Sequence, residues 1–237
     1  MKDTVLIIPT YNESRNIERL LNELRFYGLD ILIVDDNSPD GTAKYVKENV
    51  NYGESIFLLQ RKKKLGLGSA YRDGFKWAIQ NEYLFMAQMD ADFSHRIKDL
   101  GKLLNKKNEY GLVLGSRYIA EAKTDGWNIR RVILSKYANK ITKYITSSEV
   151  SDMTSGFRVY KKNTLENIQF ETTKNDGYSF QIEMLLRVLS HEIPVKEVPI
   201  IFEGRAGGKS KLNKSIIFEA ILLILNLTIR KIMNKEI

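Results

Sequence analysis

The chain predicts an α/β fold in which a mostly parallel sheet is flanked by helices, and three features carry that expectation. Short, near-continuous apolar runs recur along the first half, helical apolar spacings separate them, and polar turn-forming clusters follow several runs on their carboxyl side. With 237 residues, 43% of them hydrophobic and 28% charged, there is enough chain for one large domain with a buried core.

The elements follow in order. Residues 5–8 form an apolar strand, and Ile17, Leu20, Leu21 and Leu24 then recur at helical spacing. A second strand at residues 31–34 runs into Asp35-Asp36-Asn37-Ser38-Pro39-Asp40-Gly41, which is dense in turn formers and stops it before a helix over 42–50. Strands are expected at 56–59, 84–89 and 112–114, and helices at about 68–80 and 97–105. Beyond Gly115 the alternation becomes irregular, with amphipathic helices expected over about 129–144 and 179–189. In open parallel sheets ligands bind beyond the carboxyl ends of the strands. The polar clusters at 10–13, 35–40 and 90–95 therefore converge on one rim.

Composition excludes several chemistries. Without cysteine there is no disulfide, thiolate metal site or cysteine nucleophile, and with only His95 and His191 a multi-histidine zinc site is disfavoured. Carboxylates must carry any metal chemistry. The net charge of +8 implies an anionic partner: nucleic acid, a phosphorylated ligand or a membrane surface. A nucleic-acid-binding module lacks stacking aromatics interleaved with basic residues, and the acidic rim repels phosphates unless metal is present. Gly66-Leu67-Gly68 has neither the third glycine of a dinucleotide fingerprint nor the ending of a P-loop. Residues 61–64, Arg-Lys-Lys-Lys, read as a solvated loop, and His95 as a locally packed residue. No basic segment followed by an apolar core opens the chain, so a cytosolic location is expected.

Asp90-Ala91-Asp92 ends an apolar strand. Taken alone it reads either as a solvated acidic turn or as a pair of carboxylates facing a divalent ion and the diphosphate that the ion neutralises. The second acidic cluster on the same rim of a basic protein favours the ion. Asp36 suits hydrogen bonding to a base or ribose, while Asp35 or Asp40 suits capping the helix after Gly41.

Six motifs then stand in a recognisable order: Pro9-Thr10-Tyr11-Asn12-Glu13, Val34 to Thr42, Gly66 to Tyr71, Met89 to His95, Gly115-Ser116-Arg117-Tyr118 and Ser155-Gly156-Phe157-Arg158. In this order the chain resembles the dolichyl-phosphate mannose synthases, inverting family 2 glycosyltransferases with a GT-A fold, from about residue 5 to 212. Gly177 to Glu183 and Arg205 to Lys211 narrow the resemblance to the polyprenyl-phosphate branch. It implies a nucleotide-sugar site of Pro9, Tyr11, Glu13, Val34, Asp36, Asp90, Ala91, Asp92, Arg117, Arg205 and Lys211, with Asp90 and Asp92 holding Mg2+ or Mn2+. It further implies that Arg117, Arg131 and Ser135 gather the acceptor phosphate, and that Arg205 and Lys211 lie on a loop closing over the donor diphosphate. Asp92, Arg117, Arg131, Arg205 and Lys211 are the catalytic set so implied. The donor is then GDP-mannose and the acceptor dolichyl or polyprenyl phosphate. A UDP-sugar donor, or a glycan hydroxyl as acceptor, is the rival within the class. Glu183 is where a general base would be sought, but it reads better as a loop anchor.

The chain thus divides into a GT-A domain over 1–212 and a final helix over 213–237. The apolar stretch at 216–229 is too short for the ~20 residues of a comfortable membrane span, and Glu219 and Asn226 interrupt it. On a helix Ser215, Glu219, Asn226 and Arg230 share a narrow stripe, which leaves a broad apolar face flanked by lysines and arginines. Such a helix lies in the membrane interface, on the cytosolic face, or packs on the body or on a small membrane-anchoring subunit.

Overall fold

The structure, a computed structural model, describes residues 2–126, 136, 139–140, 142–144 and 148–204. Arg131, Ser135, Arg205 and Lys211, most of the helix expected over 129–144, and the helix expected over 213–237 lie outside the described residues.

Strand β1 (Thr4–Thr10) is followed by helix α1 (Ser14–Leu24), β2 (Asp30–Asp35), α2 (Thr42–Lys47), β3 (Ile56–Gln60), α3 (Leu67–Gln80), β4 (Phe85–Gln88), α4 (Ile97–Leu104) and β5 (Leu112–Ser116). Then come the short β6 (Lys123–Thr124), β7 (Arg158–Lys161), α5 (Lys162–Asn167), α6 (Gly177–Ser190), β8 (Val195–Pro199) and β9 (Ile201–Phe202). Every strand and helix expected in the first half is present, with α2 ending three residues earlier than its apolar pattern suggested.

Seven of the described strands form a sheet in the order β3-β2-β1-β4-β7-β5-β8, and β6 and β9 pair separately. All its pairings are parallel except those of β7, which enters antiparallel between β4 and β5. Strand alternation divides the core in two. Val5, Ile7, Leu32 and Val34 face α3 and α6, where Tyr71, Phe75, Phe180 and Leu185 are buried. Leu6, Ile8, Ile31 and Ile33 face α1 and α4, where Ile17, Leu20, Leu21, Leu24, Leu100 and Leu103 close the other side. Each such side chain contributes roughly 1.5–3 kcal/mol by leaving water, which explains why both faces of the strands are apolar.

Two glycines bring α3 close to its neighbours. A β-carbon on Gly74 would lie 2.6 Å from Ile7 Cγ2, so the helix rests directly on β1. At Gly68 a β-carbon would lie 2.6 Å from both the Asn175 carbonyl oxygen and Asp176 Oδ1. The Ser69 N–H donates to Asp176 Oδ1 at 3.1 Å, which ties the start of α3 to the segment before α6. Gly68→Ala is expected to cost about 1–3 kcal/mol through overpacking and to lower Tm by roughly 5 °C, measured by thermal unfolding. An unchanged Tm would show that this junction yields freely.

Candidate active site

Three parallel strands, β1, β2 and β4, deliver their carboxyl ends to one rim, and each loop beyond them is held by its own polar side chains. Asp35, at the end of β2, is fully buried and accepts hydrogen bonds from Thr10 Oγ1 at 2.9 Å, Ser38 N at 2.9 Å and Ser38 Oγ at 2.6 Å. Asp40 accepts from Thr42 N and from Ser14 N, both at 3.0 Å, and so secures the starts of α2 and α1 together. Burial alone would raise the Asp40 carboxyl, but these hydrogen bonds outweigh it and hold the group below its ordinary range. The capping role expected for this acidic cluster falls to Asp40.

Asp36 is 5% exposed and pairs with Arg61, while its Oδ2 accepts from Gly66 N at 3.0 Å. Arg61 corrects the expectation of a solvated basic loop over 61–64. Only 7% exposed, it also donates to Ser69 Oγ at 2.7 Å, the Gly66 carbonyl at 2.9 Å and Asp73 at 3.1 Å. Its backbone N–H extends the β2–β3 ladder by donating to the Asp35 carbonyl, which turns the side chain inward, whereas Lys62, Lys63 and Lys64 are exposed. Asp36 therefore holds the loop over 61–66 beside Tyr11, and Lys64 Nζ lies 4.0 Å from the centre of the Tyr11 ring. Pro9 and Val34 are paired across β1 and β2. Pro9 is partly exposed, but Val34 is fully buried with a methyl directed at Gly74, so it offers a ligand only backbone. Tyr11 and Glu13 are half-buried on the loop after β1.

Beyond β4 the chain bends through Phe93, whose φ of 59° is left-handed. Asp92 is 6% exposed and accepts from Ser94 N at 3.0 Å and Ser94 Oγ at 2.5 Å, so the serine hydroxyl braces the carboxylate. Ala91 is buried between the two aspartates, and Asp90 keeps 37% of its side chain exposed. Nε2 of His95 is 3.6 Å from Asp90 Oδ2, and the ring is packed between Phe157 and Phe202 with centroids 4.8 and 5.1 Å away. His95 is locally packed, as expected. Among the described residues no three His, Asp or Glu side chains form a metal cluster. The carboxylates of Asp90 and Asp92 offer an oxygen-only pair with one member open to solvent, chemistry that fits a hard cation such as Mg2+ or Mn2+.

Arg117, just after β5, is 6% exposed. Its Nε and Nη2 donate to the two oxygens of Asp152 at 2.7 and 2.6 Å, Nη2 reaches Thr154 Oγ1 at 2.7 Å, and its backbone N–H also donates to Asp152. The sequence reading missed this partner, because nothing in Ser151-Asp152-Met153 distinguishes a buried counter-ion from a turn aspartate. Glu183 accepts from Lys174 N, Asn175 N and Asn175 Nδ2 through Oε2 and from Arg187 through Oε1. That makes it the anchor of the loop before α6 and supports the preference against a general base.

An open α/β sheet with an acidic rim, a paired-aspartate turn and an antiparallel strand inserted beside it defines a GT-A glycosyltransferase. The chain belongs to glycosyl transferase family 2, whose family model matches residues 5–169. It is 36% identical over 231 residues to the polyprenol monophosphomannose synthase of Mycolicibacterium smegmatis, covering 96% of this chain and 87% of the relative. It is 35% identical over 218 residues to the undecaprenyl-phosphate mannosyltransferase of Micrococcus luteus, covering 91% of this chain and 90% of the relative. Among solved structures, glucosyl-3-phosphoglycerate synthase from Mycobacterium tuberculosis with Mn2+, UDP-glucose and phosphoglyceric acid superposes with a TM-score of 0.70. At 15% identity over 96% of this chain and 80% of that one, the likeness establishes the fold alone.

Proposed function

We propose that the chain transfers mannose, with inversion, from GDP-mannose to a dolichyl or polyprenyl phosphate, giving polyprenyl-phosphate mannose and GDP. The observation that carries this reading is the meeting of Tyr11, the Asp36-held loop and the Asp90–Asp92 turn on one rim, in a chain more than a third identical to a polyprenol monophosphomannose synthase. Tyr11 and Glu13 supply an aromatic face and a carboxylate, chemistry suited to a purine. Asp90 and Asp92 are the groups to hold Mg2+ or Mn2+, which, when bound, neutralises diphosphate charge and stabilises the leaving nucleotide.

No general base is required. A phosphomonoester has a second pKa of about 6, so a polyprenyl phosphate is ionised at neutral pH and its oxygen attacks the anomeric carbon directly. The protein must instead bring two anions together. Arg117, Arg131, Arg205 and Lys211 are assigned to that task, with Ser135 bonding the acceptor phosphate. Arg117 acts from a fixed position, because its pairing with Asp152 sets its plane.

No helix of the described residues is long and apolar enough to cross a membrane. The final helix over 213–237 is assigned to the membrane interface, directly or through a small anchoring subunit, bringing the catalytic body over 1–212 to its lipid acceptor. The test incubates purified protein with Mg2+ or Mn2+, polyprenyl phosphate and a panel of labelled GDP- and UDP-sugars. Labelled mannose is expected in the lipid phase from GDP-mannose alone, and transfer solely to a sugar hydroxyl would overturn the lipid acceptor.

A further inference from the structure

The loop over 61–66 has an outer side as well as the inner one that Arg61 and Asp36 hold. On that outer side it borders an open groove of about 630 Å³ between α3 and β3, the edge strand of the sheet. Leu59, Leu65 and Trp77 give the groove an apolar lining. The indole of Trp77 is partly buried and fixed by the rings of Phe57 and Tyr83, whose centroids lie 5.2 and 5.9 Å away. Leu65 is 44% exposed.

Three cations line the same groove. Lys62, Lys63 and Lys76 are exposed, and none of them pairs with a carboxylate among the described residues. The one carboxylate in the lining, Asp73, lies 3.1 Å from the guanidinium of the buried Arg61 and is thereby already neutralised. A single exposed leucine is ordinary on a protein surface. Here it is continuous with an apolar groove and set among unpaired ammonium groups. An occupant that complements both has an anionic head and an apolar body. A soluble phosphate would leave the groove and Leu65 in water, and a nucleic acid would need exposed stacking faces. A second copy of the same surface would set lysines against lysines.

We propose that this groove docks the protein on anionic phospholipids of a membrane surface, with Lys62, Lys63 and Lys76 meeting the headgroup phosphates and Leu65 entering the boundary with the acyl chains. The contact is additional to the one assigned to the final helix. It depends on neither the donor nor the acceptor, and its test needs no turnover. Its position ties it to the rim, because the neighbouring Lys64 of the same loop lies over the Tyr11 ring. Docking here holds that rim beside the membrane surface.

The chain has no cysteine, so Leu65→Cys gives a unique attachment point for an environment-sensitive dye. The labelled full-length protein is mixed with vesicles of phosphatidylcholine, alone or with about one-third phosphatidylglycerol, and without polyprenyl phosphate. The dye is expected to brighten several-fold and shift to the blue on the anionic vesicles only, and to lose that response at high salt. In unlabelled protein, replacing Lys62, Lys63 and Lys76 together by Gln is expected to leave Tm unchanged and to weaken co-sedimentation with anionic vesicles by about 10- to 100-fold. A dye that stays silent while the protein sediments with the vesicles would place the membrane contact elsewhere and overturn the proposal. So would a triple variant that sediments like the wild type, or a wild type that does not sediment with anionic vesicles. A dye response that grows with protein concentration in the absence of vesicles would assign the groove to self-association instead.

Discussion

Asp92→Asn is expected to lower kcat for sugar transfer by about 10³-fold or more while leaving the protein folded. The carboxamide keeps an oxygen in the position that accepts the Ser94 N–H and Oγ–H, so the turn through Phe93 survives. What it removes is the negative charge. A cation held by two carboxylates stabilises a developing diphosphate charge by several kcal/mol, and each 1.36 kcal/mol is about tenfold in rate. The expected signature is a fall in kcat with loss of Mn2+-dependent GDP binding, measured by titration calorimetry, and an unchanged Tm. Alanine at the same position is a poorer probe, because it also removes the acceptor that braces Ser94. Turnover within tenfold of wild type would mean that the metal centre does not lie at this turn.

The strength of that expectation comes from how the sheet is written in the sequence. Parallel strands buried on both faces need apolar residues at successive positions, so β1, β2 and β4 stand out even without an alternating pattern, and the polar residues that end them are the rim. The second half lacked that signal. β7 carries Arg158 at its start and Lys161 at its end, and β8 is an edge strand with Lys196 and Glu197 in it, so neither shows an apolar run. Arg158 is the clearest case of what a sequence conceals. A cation would be placed at the surface by default, yet it is fully buried because the Met153, Ser155 and Gln181 carbonyls and the Tyr160 hydroxyl all accept from it. Arg61 misled for the same reason, its partners Asp36 and Asp73 being distant along the chain. The position of the rim aspartates was legible because strand ends announce them. The partner that holds Arg117 in place was not, because it depends on a contact between segments that only folding brings together.

The largest stability effect is expected at the Arg117–Asp152 pair. Asp152 is completely buried, accepts both the Nε and Nη2 of Arg117, and also accepts the Arg117 backbone N–H. Asp152→Ala strands a buried guanidinium, a change that costs about 3–5 kcal/mol and at roughly 2–4 °C per kcal/mol lowers Tm by on the order of 10 °C. The pair also sets the response to acid. Burial pushes the Asp152 carboxyl up, but the charge and hydrogen bonds of Arg117, with Arg158 nearby, outweigh it and hold the group below its ordinary value of 3.8. A carboxyl depressed in the folded state binds its proton more readily when unfolded. Its stabilisation is therefore present above pH 3.8 and is lost as pH falls through the lower folded value. Wild-type stability should decline across that acid window more steeply than that of the variant, as read by urea unfolding at stepped pH. The double replacement Arg117→Met with Asp152→Leu separates architecture from chemistry. Removing both charges is expected to recover most of the lost Tm, since apolar pairs of similar volume replace buried ion pairs without penalty. Transfer activity should remain lost, because the guanidinium proposed to meet the phosphates is gone. Activity returning together with Tm would make Arg117 a brace for the fold and leave the gathering of phosphate to Arg131, Arg205 and Lys211.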